Sequence, residues 1–206
     1  MQKKDIIRLV VSGAEEYHLH LENRNLLFLF GNPDTPETME AVFHPRNFLH
    51  LTGLRLSTNR IRSSTEFYSR CLRHRLSPDD FWLPEDGTAE MKLQILPGIM
   101  KIHQSAKMAG DYESTKIFLY TEKLVGNISA CLGFTKEGQY YIPNTALRED
   151  IRNVTRKPAL RMLAILRKPI RESVYHEICY AAKGIDASAL LQNAGTSVPQ
   201  DCTFAK

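Results

Sequence analysis

Apolar residues at the start of the chain recur every three or four positions. They are Ile6, Ile7, Val10, Val11 and Ala14. This spacing predicts a helix over residues 3–16 that buries one face.

The pattern then changes to alternation, because Tyr17, Leu19 and Leu21 are separated by polar residues. Alternation predicts a strand with one buried face. The polar segment 23–25 predicts a turn that returns the chain as a hairpin through "LLFLF". After the loop "GNPDTPET", the run "TMEAVF" predicts a third strand.

The middle of the chain carries signals for helix starts. Ser63 followed by Glu66 is the pattern of a capping box, in which each side chain bonds a free backbone N–H. The stripe after it predicts a buried helix face of Phe67, Cys71, Leu72 and Leu76. The tetrapeptide "SPDD" at 77–80 predicts another helix start. Residues 88–96 fit either a helix or a strand, and residues 98–109 predict a helix that ends at Gly110.

From residue 116 the period becomes that of strands. Five runs are strand-like, namely "KIFLYTEK", "LVGNISACLGF", "GQYYIPN", "ALRMLAILRK" and "SVYHEICYAAKG". "MLAIL" is apolar on both faces, which predicts a strand in the middle of a sheet. A short helix capped by Asn144 and running to about Arg152 is expected between them. Helices followed by strands predict an α+β fold, with N-terminal helices and a β-hairpin packed on a mostly antiparallel sheet.

The chain of 206 residues, 43% of them hydrophobic, can bury a core of its own. We expect one domain over residues 1–185, in which residues 1–44 form the N-terminal helix and hairpin portion. Residues 186–206 lack periodicity and are expected to form a flexible tail. No apolar run is long enough to span a bilayer. The four cysteines form no CxxC pair, which favours a reduced, cytoplasmic protein over a cysteine-ligated zinc site.

Positive charge is unevenly distributed in a chain whose net charge is only +4. Residues 55–75 contain six arginines and one acid, Glu66. Residues 145–172 contain eight cations and three acids. Two such surpluses fit basic patches that bind a polyanion, although solvated helix and turn surfaces explain them equally well.

The motifs of several enzyme classes are absent from the sequence. It has no P-loop, no GxGxxG after a strand, no GxSxG and no HExxH. Pro78-Asp79 followed by Glu90-Met91-Lys92 resembles a PD…(D/E)xK metal-nuclease site, but a first-turn helix acid explains Asp79 better. His18 and His20 share a face of the predicted strand without a third metal ligand, so we expect no metal site.

The segment "FHPRNFLHLTGL" concentrates groups that suit phosphate chemistry. His50 follows a strand and precedes Thr52-Gly53, where glycine permits a tight turn with backbone N–H groups facing a ligand. A histidine transfers protons near neutral pH, and a threonine hydroxyl bonds a phosphate oxygen. The alternative is that His50 is an ordinary residue of an apolar segment.

An ordered set of segments is similar to a phage-associated family. They are "FHPRNFLHLTGL", "FYSRCLRHRLS", "KMAGDY", "LYTEKLVGN", "CLGF", "YYIPNTALREDIR" and "AILRKPI". Together they span about residues 17–185 and resemble one of the groups described as barnase–EndoU–colicin–RelE-like nucleases. The resemblance implies helices packed on a four-stranded antiparallel sheet. It also implies RNA cleavage without metal or cofactor, in which the ribose 2′-OH attacks phosphorus and leaves a 2′,3′-cyclic phosphate.

On that resemblance, residues are assigned to the steps of the reaction. His50 is expected to act as acid or base, with Thr52 contacting phosphate and Tyr120 and Lys123 as proton donor and charge stabiliser. We expect His50 and Thr52 in one concave site with Tyr120, Lys123 or Asn144. Further phosphate or RNA contacts are expected from Asn47, Arg60, Arg62, Asn144 and Thr145, the last two at a helix N-terminus.

Two other functions fit the sequence. The first is that of a phage effector that binds RNA or a host factor without catalysis, and the second is that of an ADP-ribosyltransferase. An ADP-ribosyltransferase would need Glu122 or Glu177 in the cleft. The expected partners are RNA and a cognate inhibitor or host factor, with no membrane, in the cytoplasm of a bacterial host.

Overall fold

The computed structural model of the protein describes residues 1–113, 119–193 and 203–204. The helices are α1 (Lys3–His20), α2 (Phe48–Thr52), α3 (Ser64–Leu72), α4 (Thr88–Ile99), α5 (Ile102–Ser105) and α6 (Ala187–Asn193), with 3₁₀ turns at Pro45–Asn47 and Ile151–Asn153. The first strands are β1 (Arg24–Asn32), β2 (Thr35–Val42), β3 (Arg55–Leu56), β4 (Phe81–Trp82) and β5 (Met108–Asp111). The remaining strands are β6 (Lys123–Gly126), β7 (Cys131–Glu137), β8 (Tyr140–Leu147), β9 (Leu160–Pro169), β10 (Glu177–Ala181) and β11 (Thr203–Phe204).

The main sheet follows the order β1-β2-β8-β7-β6-β5-β9-β10-β11, and β1 also pairs with β9. Its hydrogen-bonded order therefore closes on itself from β1 through β2, β8, β7, β6, β5 and β9. Most pairings are antiparallel, whereas β2–β8 and β10–β11 are parallel. The α+β class and mostly antiparallel sheet are confirmed. The expected four strands are wrong, since eight strands of the described residues 24–113 and 119–181 join this sheet, together with the two-residue β11.

The two faces of the sheet bury separate apolar clusters. Phe28 and Phe134 belong to the main core, which also contains buried apolar residues of helices α1 to α5. Leu29 lies on the other face of β1 and packs with Leu190 and Leu191 of α6. Within the predicted flexible tail, residues 187–193 are therefore helical, and Ala187, Leu190 and Leu191 are buried. Residues 194–202 and 205–206 lie outside the described residues.

The N-terminal helix is longer than its sequence pattern predicted. We expected a strand at residues 17–21, but α1 continues to His20. Val10, Ala14, Tyr17 and Leu21 lie four, three and four positions apart and are all buried. The same apolar residues therefore fit helical spacing, and burial in the main core selects the helix.

The first hairpin joins β1 and β2, and so it lies later in the chain than the hairpin that we expected around residues 23–25. β1 and β2 pair from Asn25↔Val42 to Asn32↔Thr35, so the turn lies at residues 33–34. The predicted turn at 23–25 is wrong, and most of the predicted loop "GNPDTPET" is strand. The third strand predicted at "TMEAVF" lies in the second half of β2.

The predicted α3 is confirmed, with one difference at its cap. Ser63 Oγ accepts the Glu66 N–H at 3.1 Å, as a capping box requires. The Glu66 carboxylate instead accepts the N–H of Arg62 at 2.9 Å. Ser77 begins no helix, because the Asp80 carboxylate accepts the Ser77 N–H and the chain turns into β4.

Two further helix boundaries differ from expectation. The segment left open at 88–96 is helical in α4, whereas the helix predicted over 98–109 is divided among the end of α4, α5 and β5. The helix predicted from Asn144 to Arg152 is a strand as far as Leu147, followed by a 3₁₀ turn capped by Asp150. "MLAIL" is confirmed as a central strand, since β9 pairs with β1 on one edge and with β5 and β10 on the other.

The described cysteines, Cys71, Cys131 and Cys179, are all free thiols. Burial raises the pKa of Cys71 and Cys131 to about 12 and that of Cys179 to about 11, so these thiols stay protonated. No helix in the described ranges is both long and apolar enough to cross a bilayer.

Candidate functional site

The histidine of the "FLHLTGL" segment lies on a short helix that is fixed by its apolar neighbours. Phe48 and Leu51 of α2 are fully buried, while His50 between them is exposed. Before the helix, the Asn47 side chain accepts the N–H of His44 at 3.0 Å. The helix therefore presents the imidazole to solvent from a rigid base.

The turn after α2 brings a second helix close to His50. Gly53 has φ 72°, and a Cβ there would lie 2.9 Å from the Ala89 Cα. Only glycine allows the two backbones to approach in this way. The approach places Lys92 of α4 beside α2, where its Nζ donates a 3.0 Å hydrogen bond to the His50 carbonyl.

Positive charge surrounds this imidazole. Burial among neighbouring atoms, followed by repulsion from Lys92 and Arg55, lowers the pKa of His50. Burial and repulsion from Arg55 also lower the pKa of Lys92, against a weaker attraction to Asp86. Within the described residues no carboxylate forms an ion pair with Arg55 or Lys92. The cluster of His50, Arg55 and Lys92, here called the cationic cluster, is therefore available to an anion.

An exposed aromatic ring stands beside the cationic cluster. Arg55 and Trp82 are directly opposed in the β3–β4 pair, so their side chains leave the same face of this small sheet. Arg55 is exposed, and half of the Trp82 surface (51%) is accessible. Cations for phosphate and a ring for a base are thus adjacent, which is the combination that single-stranded nucleic acids require.

Thr52 is not presented to a ligand. Its side chain is fully buried, and its hydroxyl donates to the Leu49 carbonyl at 2.8 Å and accepts the Leu54 N–H at 3.2 Å. The expected phosphate contact is therefore contradicted by the placement of the hydroxyl, which closes the end of α2. Asn47 is also buried, and its oxygen is occupied by His44.

The other predicted polar residues form a separate cluster on the sheet. The Asn144 side chain donates to the Tyr120 carbonyl and accepts from the Thr121 hydroxyl. Thr145 is buried opposite Gly133. Asn144 and Thr145 are strand residues rather than the start of a helix, so the expected helix N-terminal anion site is wrong. The Tyr120 side chain is almost completely exposed (99%).

The predicted cations differ in what they contact. Lys123 pairs with Asp111 at 2.5 Å, and Arg60 Nε donates to the buried Asp80 carboxylate at 3.1 Å. Arg62 is exposed. No hydrogen bond or ion pair in the described part of the chain joins His50 to Tyr120, Lys123 or Asn144, so the expected grouping of these residues is not formed by direct contact.

A second histidine lines a cleft of about 650 Å³ at the end of α1. The His18 ring bonds the Glu22 carboxylate, which also accepts the Tyr68 hydroxyl at 2.9 Å. Arg24 and Arg171 line the same cleft. His18 and His20 lie on a helix rather than on the predicted strand, two positions and about 200° apart, so they share no face. This cleft is the main alternative position for acid–base chemistry.

The residues of the metal-nuclease pattern are not arranged as that site requires. Glu90 and Lys92 lie two positions apart on α4, about 200° around the helix, whereas the pattern needs them on one face of a strand. Glu90 pairs with the N-terminus, and Asp79 is exposed. Among the described residues no group of three His, Cys, Asp or Glu side chains could hold a metal ion.

The glutamates needed by a transferase are occupied elsewhere. Glu122 accepts the Lys136 N–H at 2.8 Å, and Glu177 pairs with Arg167 at 2.5 Å. Neither contacts His50, so the ADP-ribosyltransferase alternative gains no support.

Sequence reasoning missed three members of this surface. Arg55 was counted only as one of the arginines downstream of His50 that would attract a phosphate, and Lys92 was assigned to the metal-nuclease pattern. Trp82 was not considered, although it is the only tryptophan of the chain. Of these three residues, Arg55 could have been predicted, because it lies only five positions after His50 in the sequence.

A known family matches most of the chain. The family described as phage-Barnase-EndoU-ColicinE5/D-RelE like nuclease4 matches residues 9–184. No curated protein and no solved structure matches the chain. The matched range includes all members of the cationic cluster.

Proposed function

The chain belongs to the phage-Barnase-EndoU-ColicinE5/D-RelE like nuclease4 family, and from this we propose that it is a metal-independent endoribonuclease with its proton-transfer centre at His50. The observation that carries the proposal is the exposed His50 imidazole beside Lys92 and Arg55. Neither cation forms an ion pair among the described residues, although Asp86 lies near enough to attract both. Family membership makes it nuclease-like, and the cluster indicates the chemistry.

The proposed reaction begins at the ribose 2′-OH. The lowered pKa of His50 favours its neutral form at pH 7, and this neutral imidazole accepts the proton of the 2′-OH. The 2′-oxygen attacks the adjacent phosphorus, and Arg55 stabilises the added negative charge on the phosphate oxygens. Lys92, whose pKa is also lowered, protonates the departing 5′-oxygen. The products are a 2′,3′-cyclic phosphate and a 5′-hydroxyl.

The remaining predicted residues have smaller parts in this proposal. Tyr120 and Arg62 are exposed and stay candidates for contacts to RNA away from the reacting phosphate. Lys123 and Arg60 are tied to acidic partners, and Thr52 is buried, so we give them no catalytic step. The nuclease family supports a nucleic-acid substrate. RNA in the cytoplasm of a bacterial host, and a cognate inhibitor or host factor, are further parts of the proposal.

Three histidine variants test where the chemistry occurs. Purified wild type, His50→Ala, His18→Ala and His176→Ala would be incubated with a short single-stranded RNA. We expect His50→Ala to lose about 100-fold or more in rate, as for a general acid–base residue. His176 is exposed and pairs with Glu172, so its variant is the control. Loss of activity in His18→Ala alone would move the site to the cleft at the end of α1.

The products and the substrate sugar test the mechanism. Cleavage should yield 2′,3′-cyclic phosphate ends and should stop when the sugar at the cleavage site is 2′-deoxyribose, because the nucleophile is then missing. Cleavage of DNA would contradict the mechanism. RNA binding without cleavage, equal in wild type and His50→Ala, would identify a non-catalytic RNA-binding effector instead.

A further inference from the structure

Trp82 is exposed in a segment that is otherwise held in the core. It is the only tryptophan in the chain, and 51% of its surface is accessible. Its neighbour Phe81 is 1% exposed and belongs to the main core. A large aromatic ring exposed next to a buried anchor needs a reason, because burying such a ring contributes strongly to stability.

The backbone beneath Trp82 is fixed on both sides. In the β3–β4 pair, Leu56 opposes Phe81, and the Ser57 N–H donates to the Asp80 carbonyl at 2.9 Å. The Asp80 side chain is fully buried and accepts from Ser77 N, Arg60 Nε and Arg70 Nη1 at 2.8, 3.1 and 3.1 Å. The indole is therefore carried by a preorganised segment, which reduces the entropy lost when a ligand stacks on it.

The position of Trp82 relates it directly to the cationic cluster. Arg55 is its cross-strand partner, with Cβ atoms about 5 Å apart as in any opposed pair. The Arg55 charge also acts on both His50 and Lys92. A phosphate held by Arg55 would therefore leave its adjoining base within reach of the indole face.

We propose that Trp82 is a nucleobase-binding platform that stacks an unpaired base next to the phosphate held by Arg55 and Lys92. The inference rests on the proposed function and adds the substrate class, which is single-stranded RNA. Stacking on an aromatic side chain accepts every base, because each has a π face, so the platform is tolerant of sequence. Bases inside a duplex, whether of RNA or of DNA, are already paired and stacked on one another and cannot reach it.

The single tryptophan makes the proposal directly measurable. Wild-type protein would be titrated with an uncleavable single strand carrying 2′-deoxyribose throughout, while Trp82 fluorescence is recorded. We expect fluorescence to change on binding of this strand. The duplex of the same sequence and an abasic strand of equal length should cause much smaller changes at equal phosphate concentration.

Substitutions then measure the contribution of the ring. With a labelled strand and fluorescence anisotropy, Trp82→Ala should weaken binding by about 5- to 100-fold. Trp82→Phe should retain part of the affinity and also shows that the fold tolerates the change. Ile128→Ala is the matched control, because Ile128 is 63% exposed on the β6–β7 turn. Circular dichroism of each variant checks folding.

The outcomes separate this inference from the proposed function. A fluorescence change and affinity loss without any RNA cleavage would support the base platform and overturn the catalytic proposal. Cleavage by wild type with Trp82→Ala indistinguishable in binding would overturn the platform and leave the catalytic proposal standing. Equal binding of duplex and single strand, or an equal loss in Ile128→Ala, would also overturn the platform.

Discussion

The Lys92 ammonium donates a 3.0 Å hydrogen bond to the backbone carbonyl of His50. This contact joins α4 to α2 across 42 positions of sequence and holds a cation beside the imidazole. Because the bond is made to the backbone, the His50 ring remains available to a substrate. The positive charge of Lys92 also lowers the pKa of the His50 imidazole.

Replacing Lys92 by glutamine should raise the pKa of His50. Burial, Lys92 and Arg55 together hold this pKa below 6.5, so removing a positive charge makes the imidazolium less unfavourable. NMR titration of the His50 ring would measure the change without requiring activity. In kinetics, Lys92→Gln should also lower the rate strongly, because it removes the proposed acid. The acidic side of the remaining rate profile should move to higher pH, since His50 must be neutral to act as a base.

The control for this titration is Lys101→Gln. Lys101 acts on His20 and His103 and is not among the charges that shift His50. An unchanged or lower pKa of His50 in Lys92→Gln would show that the ammonium does not act on the ring as described.

Alanine at Gly53 should destabilise the protein much more than alanine at Gly87. Both glycines have nearly the same φ, 72° and 73°, but a Cβ at Gly53 would lie 2.9 Å from Ala89 Cα, whereas nothing lies within 4 Å at Gly87. We expect Gly87→Ala to cost about 1 kcal/mol from backbone strain alone. Gly53→Ala should cost about 3 kcal/mol because overpacking is added.

Urea denaturation of the two glycine variants measures the difference. Equal losses would mean that α2 and α4 separate easily. In that case the position of Lys92 beside His50 would not depend on Gly53.

Cleavage should continue in excess EDTA, because the proposed steps use only His50, Arg55 and Lys92. Glu90→Gln should have little effect, since Glu90 pairs with the N-terminus on an exposed part of α4. The rate on a labelled RNA would be compared before and after chelation. The PD…(D/E)xK chemistry would be favoured instead if EDTA abolished cleavage, magnesium restored it, and Glu90→Gln did not cleave.

The buried His103 should make stability depend on pH. Burial, then the nearby His20, Arg167 and Lys101, lower its pKa to about 3. Between that value and an unfolded pKa of about 6.5, the unfolded chain binds more protons. The free energy of unfolding should therefore fall as the pH decreases from 6.5 towards 3, by up to about 1.4 kcal/mol per unit.

Phenylalanine at position 103 tests this dependence. In the native protein the ring centroids of His103 and His20 lie 4.7 Å apart. A phenylalanine ring keeps this stacking contact but cannot be protonated. The decline of stability below pH 6.5 should become shallower in His103→Phe, whatever its stability at pH 7. The exposed His176→Phe serves as the control, and an unchanged slope in His103→Phe would refute the prediction.

Several features could be predicted from the sequence because they depend on neighbours along the chain. Ser63 caps α3 through the N–H of Glu66, three residues away. The "MLAIL" run needs apolar surroundings on both sides, and β9 has them. His50 was singled out because a histidine, a threonine and a turn glycine occur within four positions. That local signal predicted a role for His50, which stays a prediction, and it predicted a phosphate contact for Thr52, whose hydroxyl is buried instead.

The rest was decided by contacts between distant segments. Tyr17 and Leu21 fit a strand or a helix equally well by spacing, and packing in the main core decided for the helix. The closure of the sheet through β1 and β9 joins residues far apart in sequence, which no short pattern records. Lys92 joined His50 because Gly53 lets α4 approach α2, and Trp82 joined Arg55 through the β3–β4 pair. The sequence by itself singled out His50 as the candidate histidine, and only the tertiary structure decided which cations and which ring lie beside it.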